Sequence, residues 1–229
     1  MNKIKLVCFD LDDTLWPCTP TILHAENVYY QWLKNNRPRI TDAYSPDDIL
    51  NKRRHLRERT PELKHDISEL RIQSLHELAE EFDYSTDWIE TAFEAFYLAR
   101  QQVSFYDDVA PVLEKLRPYY QIAAVTNGNA DIYMTELGNY FDYAVSAAEA
   151  GISKPDPAVF ELLQKVSGVT ADAIVHVGDH QIDDIEGASR AGIRNVWLNR
   201  HADSWSNKQV RPDHTVRSLF DILSYLGLE

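Results

Sequence analysis

Long apolar runs are missing from this chain: none approaches the roughly 18–20 residues a helix needs to cross a bilayer. No helical membrane span is therefore expected. Cysteine is nearly absent, with only Cys8 and Cys18, too few for a disulfide framework. Basic residues are outnumbered 23 to 36 by acidic ones, leaving a net charge of −13. That balance argues against non-specific binding to nucleic acid or anionic membrane, both of which need a basic face. The opening, MNKIKLVCFD, reads without the apolar region of a signal peptide, because an acidic residue arrives too early. A cytoplasmic location is the expectation. Glycine is scarce as well, and none occurs before Gly128, which suits a compact helical unit early in the chain.

What is present begins with Ile4–Trp16, IKLVCFDLDDTLW. Ile4, Leu6, Val7, Cys8 and Phe9 form a short apolar run, the pattern of a strand buried on both faces. Cys8 within it reads as a small buried hydrophobe. Asp10 ends the run, and Asp12, Asp13 and Thr14 follow at once. Carboxylates this close repel one another unless a cation or a shared proton relieves the charge. A buried strand that delivers acids to its carboxyl end puts them where open α/β sheets bind ligands. A polar turn in which Asp13 or Thr14 caps a helical turn is the simpler alternative for this segment alone.

After Trp16 the texture turns helical. Thr19 or Thr21 can cap a helix over 22–35, where Ala25, Val28, Tyr29, Trp32 and Leu33 fall on one face. Ser45-Pro46-Asp47-Asp48 is a strong helix start, and Thr60-Pro61-Glu62 repeats the device. Ser85 opens a fourth helix carrying Trp88, Ile89, Ala92, Phe93 and Phe96. Four amphipathic helices with short connections predict a small bundle. Its aromatics read mainly as bundle core, and the basic run 52–57 as a solvated face.

From about Val103 strands and helices alternate. Asp107 or Asp108 is expected to cap a helix through Leu116, followed by a strand over 121–125, a helix ending near Gly138 and a strand over 141–146. A helix over 157–166, a strand over 173–177, a helix over 182–191, a strand over 195–198 and a closing helix over 218–226 complete the series. This alternation predicts an α/β fold with a doubly wound parallel sheet. Residues 1–16 and 104–229 are expected to form the core domain, with 17–103 inserted as a helical-bundle cap.

Four segments then fall at or just beyond predicted strand ends. They are Asp10-Leu11-Asp12-Asp13-Thr14, Thr126-Asn127-Gly128, Ser153-Lys154-Pro155, and Gly178-Asp179 with Asp183 and Asp184. Each has a plainer reading: Asn127-Gly128 as a tight turn, Lys154 as a solvated lysine before a helix, Asp179 as a helix cap. Together they supply paired acids, a hydroxyl beside backbone amides, one cation and a further acid. That set suits metal-assisted phosphoryl transfer through a carboxylate nucleophile.

With these motifs in order, the chain resembles the haloacid dehalogenase superfamily of hydrolases nearly end to end. DxDxT corresponds to Asp10, Asp12 and Thr14, the threonine motif to Thr126, the lysine to Lys154, and the last motif to Gly178-Asp179 with Asp183 or Asp184. More narrowly, VTNGNA, GNYFDY, SKP and HVGDHQIDD are similar to bacterial phosphatases of riboflavin synthesis that act on a phosphorylated ribitylaminouracil. The resemblance implies a Rossmann-like core with the first strand central. It further implies a small phosphorylated metabolite as substrate, FMN and sugar phosphates among the alternatives, and Mg²⁺ as cofactor. Asp10 would be the nucleophile that becomes an aspartyl phosphate, and Asp12 the general acid and base. Thr126, Asn127, Gly128 and Lys154 would hold the phosphoryl oxygens. Asp10, Asp179, Asp184 and the backbone carbonyl of Asp12 would surround the metal, Asp184 being favoured over Asp183. A dehalogenase of the same fold is a weaker expectation, since halide leaves without a proton and those relatives lack the second acid. A phosphomutase stands as the other alternative.

Overall fold

In the computed structural model, which describes residues 3–228, strand β1 (Leu6–Phe9) is fully buried at every position. The physical reason is its place in the sheet. It hydrogen-bonds in parallel to β2 (Gln121–Thr126) on one side and to β4 (Ile174–Gly178) on the other. With β3 (Tyr143–Ser146), β5 (Arg194–Leu198) and β6 (His214–Val216), the sheet runs β3-β2-β1-β4-β5-β6, all parallel. This is the expected doubly wound α/β arrangement, with the first strand central. One face of the sheet packs Leu6, Cys8, Ala123, Val125 and Val145 against Val159, Phe160 and Leu163. Each such Leu, Val or Phe contributes roughly 1.5–3 kcal/mol by leaving water.

By its internal contacts the chain divides into two compact units, Met1–Pro17 with Ser104–Glu229, and Cys18–Val103. The second unit holds helices α1 (Cys18–Asn36), α2 (Pro38–Ala43), α3 (Pro46–Arg59), α4 (Ile67–Glu81) and α5 (Ile89–Arg100). Ser45 caps α3 in a reciprocal box with Asp48, as its sequence predicts. Thr60-Pro61 behaves differently and opens only a single turn, Pro61–Leu63. The Thr60 hydroxyl donates back to the Leu56 carbonyl at 2.7 Å, closing α3, and α4 waits for its own cap at Asp66. Likewise Ser85 turns its hydroxyl to Asp87, and α5 begins only at Ile89. Tyr29, Leu33, Leu75, Leu78, Trp88 and Phe96 form the interior of this unit, and Trp32 stacks on Trp88. Aromatics at helical spacing are thus core here.

In the sheet unit, α6 (Val109–Leu116) follows β1 and the insertion. Asp108 precedes it without capping it. The Asp108 carboxylate instead accepts both Arg200 terminal nitrogens at 2.9 Å, Ser218 Oγ and the Leu219 backbone N–H. A bidentate guanidinium is the stronger partner. The helix expected before Gly138 resolves into two single turns, Ile132–Met134 and Gly138–Tyr140. A Cβ at Gly138 would lie 2.8 Å from the Ile132 carbonyl oxygen, so the chain doubles back too tightly for a continuous helix. The helices α7 (Ala147–Ala150), α8 (Ala158–Ser167), α9 (Gly187–Arg190) and α10 (Phe220–Tyr225) complete the unit. The expected helix over 182–191 is split: a wide π-type turn, Gln181–Glu186, precedes the short α9. Strand β6 has no counterpart in the sequence pattern, because its three residues are mostly exposed and carry no apolar run. Among the described residues, no helix is long and apolar enough to cross a membrane.

Arg53, within the basic run expected to be solvated, is buried. It donates to Glu26 at 2.7 Å, and Arg71 donates to the same oxygen at 2.6 Å. Burial alone would raise the Glu26 pKa, but Arg71 and then Arg53 outweigh it and hold the carboxyl below its ordinary 4.5. On acidification the unfolded chain therefore binds this proton first. The stabilisation is full above about pH 5 and is lost as pH falls through the folded value. The urea midpoint of the wild-type chain should fall more steeply from about pH 5 to pH 3 than that of Glu26→Gln. Parallel slopes for the two proteins would remove Glu26 from the acid response.

Candidate active site

The register sets the site. Phe9 pairs with Ala124 of β2 and Val177 of β4, so the strands end nearly level. Strands β2 and β3 lie on one side of β1 and β4–β6 on the other, so the order reverses here and leaves a crevice at the carboxyl ends. Asp10, Asp12, Asp13, Thr126, Asn127, Gly128, Lys154, Asp179, His180, Asp183 and Asp184 line one pocket in that crevice. The expected catalytic, phosphate-binding and metal-binding residues Asp10, Asp12, Thr126, Asn127, Gly128, Lys154, Asp179 and Asp184 are all in this group, although they are spread over 175 positions; Thr14 and Gly178 of the same motifs are not among its lining residues.

Lys154 stands at its centre. Its ammonium is buried and donates to Asp10 Oδ1 at 2.6 Å, Asp184 Oδ1 at 2.7 Å and the Val125 carbonyl at 2.8 Å. Those three contacts use the three donors of the group. Asn127 holds the lysine backbone from both sides: its Oδ1 accepts the Lys154 N–H at 2.8 Å and its Nδ2 donates to the Lys154 carbonyl at 3.0 Å. The Asn127 side chain is therefore a strut for the lysine, and any contact to an incoming oxygen falls to the backbone amides beside it. Thr126 Oγ1 accepts the Gly128 N–H at 2.9 Å, which engages a lone pair and not the hydroxyl hydrogen.

Asp184 is buried, whereas Asp183 is half-buried and faces His180 and Asn127 at 3.4 Å each. The wide turn at Gln181–Glu186 brings Asp184 inward. Its Oδ1 meets His176 Nε2 at 3.0 Å and its Oδ2 accepts the His180 N–H at 2.9 Å. Gly178 is required for this approach, since a Cβ there would fall 2.3 Å from Asp184 Cγ. On β1's side, Asp13 takes the left-handed conformation at φ 59°, which Asp tolerates better than most residues. Its N–H donates to the Trp16 carbonyl at 2.7 Å, and Trp16 Nε1 donates to Asp12 Oδ1 at 2.9 Å. Trp16 is fully buried and thereby orients Asp12. Thr14 Oγ1 donates to Asp179 Oδ1 at 3.0 Å, and Trp197 Nε1 donates to the Asp179 carbonyl at 2.8 Å.

The electrostatics are those of a crowded acidic pocket under one cation. Burial raises Asp10 well above the carboxylate range; Lys154 pulls it back, and Asp184 and Asp179 push it up again. Asp179 is raised to about 7, first by burial and then by Asp184. Asp184 is the exception: burial opposes its ionisation, but Lys154 and His176 hold it well below its ordinary value. Burial would likewise lower Lys154, yet Asp10 and Asp184 keep it above the usual lysine range. Ligand oxygens of Asp10, Asp179 and Asp184 all lie within 4.8 Å of one another. Asp10 and Asp179, raised by burial and then by neighbouring acids, together with the ionised Asp184 fit a hard divalent cation, which takes carboxylate oxygens and favours their charged form.

Sequence reasoning gives no role to His176, although it opens the HVGDHQIDD motif, and does not single out Trp197. The one signal for His176 is a histidine interrupting the otherwise apolar strand IVHVG. For Trp197 nothing local distinguishes it from an ordinary buried strand residue.

A family model described as haloacid dehalogenase-like hydrolase matches residues 4–192. The 5-amino-6-(5-phospho-D-ribitylamino)uracil phosphatase YigB of Escherichia coli (strain K12) is 29% identical over 202 residues, covering 86% of this chain and 84% of that protein. Glyceraldehyde 3-phosphate phosphatase of Methanopyrus kandleri is 27% identical over 248 residues, 98% of this chain and 99% of its own. Among solved structures, a 2-haloacid dehalogenase from Pseudomonas syringae pv. Tomato DC3000 matches with a TM-score of 0.91 at 38% identity, over 98% of both chains.

Replacing Lys154 with Met should destabilise the chain by about 3–5 kcal/mol at neutral pH, because Asp10 and Asp184 are left buried without their cation. The deficit should shrink as pH falls toward about 5, since carboxyls with raised pKa values then take up protons in the folded state. Equilibrium denaturation of the two proteins across that range measures both effects.

Proposed function

This chain belongs to the haloacid dehalogenase-like hydrolases, and within that family we propose that it is a Mg²⁺-dependent phosphatase acting on a small phosphorylated metabolite. The carrying observation is the carboxylate triad Asp10, Asp179 and Asp184 beside Lys154 in one pocket. A bound Mg²⁺ would be held by these acids and the backbone carbonyl of Asp12, and supplies the charge that lets an anionic carboxylate approach an anionic ester.

The remaining chemistry falls to the chain itself. An Asp10 carboxylate oxygen attacks phosphorus, the ester P–O bond breaks, and the electron pair leaves on the alkoxide. Asp12, aimed by Trp16 Nε1, gives that alkoxide its proton. Asp12 then takes a proton from water, which attacks the aspartyl phosphate and releases inorganic phosphate with Asp10 regenerated. The Thr126 hydroxyl hydrogen and the Asn127 backbone amide hydrogen-bond the phosphoryl oxygens, the Gly128 N–H being engaged by Thr126 Oγ1, and Lys154 offsets the negative charge that develops on them.

The similarity to a 2-haloacid dehalogenase structure favours a second reading, in which Asp10 attacks carbon. The charge arrangement counts against it. Halide needs no proton to leave, so Asp12 would have no task, and three clustered carboxylates repel a haloacid's own carboxylate. For substrate, the E. coli relative supports a phosphorylated ribitylaminouracil, with FMN and sugar phosphates as competitors. The helical insertion, expected over residues 17–103, is proposed to make that choice.

Phosphate release with Mg²⁺ should therefore be fast for one member of a panel spanning the ribitylaminouracil phosphate, FMN, sugar phosphates and nucleotides. Asp10→Asn should fold and release none, and Asp12→Asn should lose about 10²–10⁴-fold in rate. EDTA should abolish turnover and Mg²⁺ restore it. Acid-labile phosphate on Asp10→Asn, or full activity in EDTA, would reject these assignments. Halide release from a short 2-haloacid without phosphate release from the panel would establish the dehalogenase instead.

A further inference from the structure

One polar group in the interior of the sheet is not used by this chemistry. His176 lies in the middle of β4 and is fully buried. Its Nε2 is 3.0 Å from Asp184 Oδ1 and its Nδ1 is 3.3 Å from the Sγ of Cys8, on the neighbouring strand β1. Cys8 and His176 pair directly in the register of those two strands. Phe160 closes the ring's face, edge to face at 4.9 Å. A polar ring in so apolar a place needs both nitrogens satisfied.

The partners decide how. Asp184, ion-paired to Lys154 at 2.7 Å, is a carboxylate and can only accept. The nitrogen facing it must therefore donate. A second N–H at Nδ1 would bury a cationic ring against a weak sulfur acceptor, which is costly. The neutral ring has Nδ1 as acceptor, and the Cys8 thiol is the donor that meets it. A chain of donors thus runs from β1 through β4 to the acid at the rim: Cys8 S–H to His176, His176 Nε2–H to Asp184.

We propose that His176 is a positioning residue: with its tautomer set by Cys8, it fixes the Asp184 carboxylate in the direction that serves Lys154 and a bound divalent cation. Asp184 receives His176 and Lys154 on Oδ1 and the His180 N–H on Oδ2. His176 is the donor that comes from inside the sheet, so it cannot swing away with a loop. Partners that orient a ligating carboxylate in this way typically change metal affinity 10–100-fold when lost. The cation part of the inference rests on the phosphatase reading; the tautomer and the orientation of Asp184 do not.

Two measurements test it. Long-range ¹H–¹⁵N NMR on the metal-free protein should find the His176 proton on Nε2; a proton on Nδ1, or on both nitrogens, would overturn the proposal whatever the enzyme's substrate. Calorimetric titration with Mg²⁺ should give an affinity about 10–100-fold weaker for His176→Phe than for wild type. His176→Gln, whose amide N–H can reach the same oxygen, should recover most of that loss. A purely structural role predicts the opposite pattern, with both variants alike in Mg²⁺ affinity and differing only in thermal midpoint. If wild type itself binds no Mg²⁺, the phosphatase reading fails while the NMR result still decides the role of His176. The NMR test also stands if His176→Phe does not fold.

Discussion

The sheet unit depends on one buried ammonium. Lys154 reaches in from a loop and joins the end of β1 at Asp10, the end of β2 at the Val125 carbonyl, and the turn after β4 at Asp184. Without that cation, burying Asp10 and Asp184 side by side would cost more than the surrounding contacts return. With it, Asp184 is held ionised, and the rise that burial imposes on Asp10 is partly offset. Much of the local architecture serves this arrangement: Asn127 clamps the lysine backbone, Gly178 makes room for Asp184, and the wide turn at 181–186 turns that acid inward.

The pocket's surplus of negative charge is also its clearest chemical statement. Asp179 is raised to about 7 because it is buried away from water and, next, because Asp184 lies beside it. Lys154 alone cannot neutralise Asp10, Asp179 and Asp184 together. Three such acids are consistent with a site for a divalent cation, and the proposed phosphatase chemistry rests on that ion. The fold is shared between both chemistries, so the proposal rests on the charges and not on the topology.

The helical unit follows a separate logic. Its interior is aromatic and aliphatic, with one polar knot in which Arg53 and Arg71 share Glu26. Arg71 also lies 3.3 Å over the Phe96 ring. Guanidinium planes are weakly hydrated and stack on aromatics, which is why they can be carried into such an interior where lysine would not be.

Much of the molecule was legible in its sequence, for reasons that can be named. The run LVCF declares a doubly buried strand because both of its faces are apolar, and Ser45-Pro46 declares a helix start because capping is a matter of four adjacent residues. Acids at strand ends are visible for the same reason, their meaning lying in what precedes them by one or two positions. Local pattern thus determined the alternation of strands and helices, the helical insertion and the residues gathered at the pocket. Tertiary structure alone decided the partners: Asp108 abandons its helix for Arg200, 92 positions away, and Arg53 leaves the solvent for Glu26. His176 finds Cys8 across 168 positions, and β6 exists only because β5 offers it an edge. A hydrogen bond or ion pair is chosen by distance in space, and sequence spacing carries that information only within a turn or two of the chain.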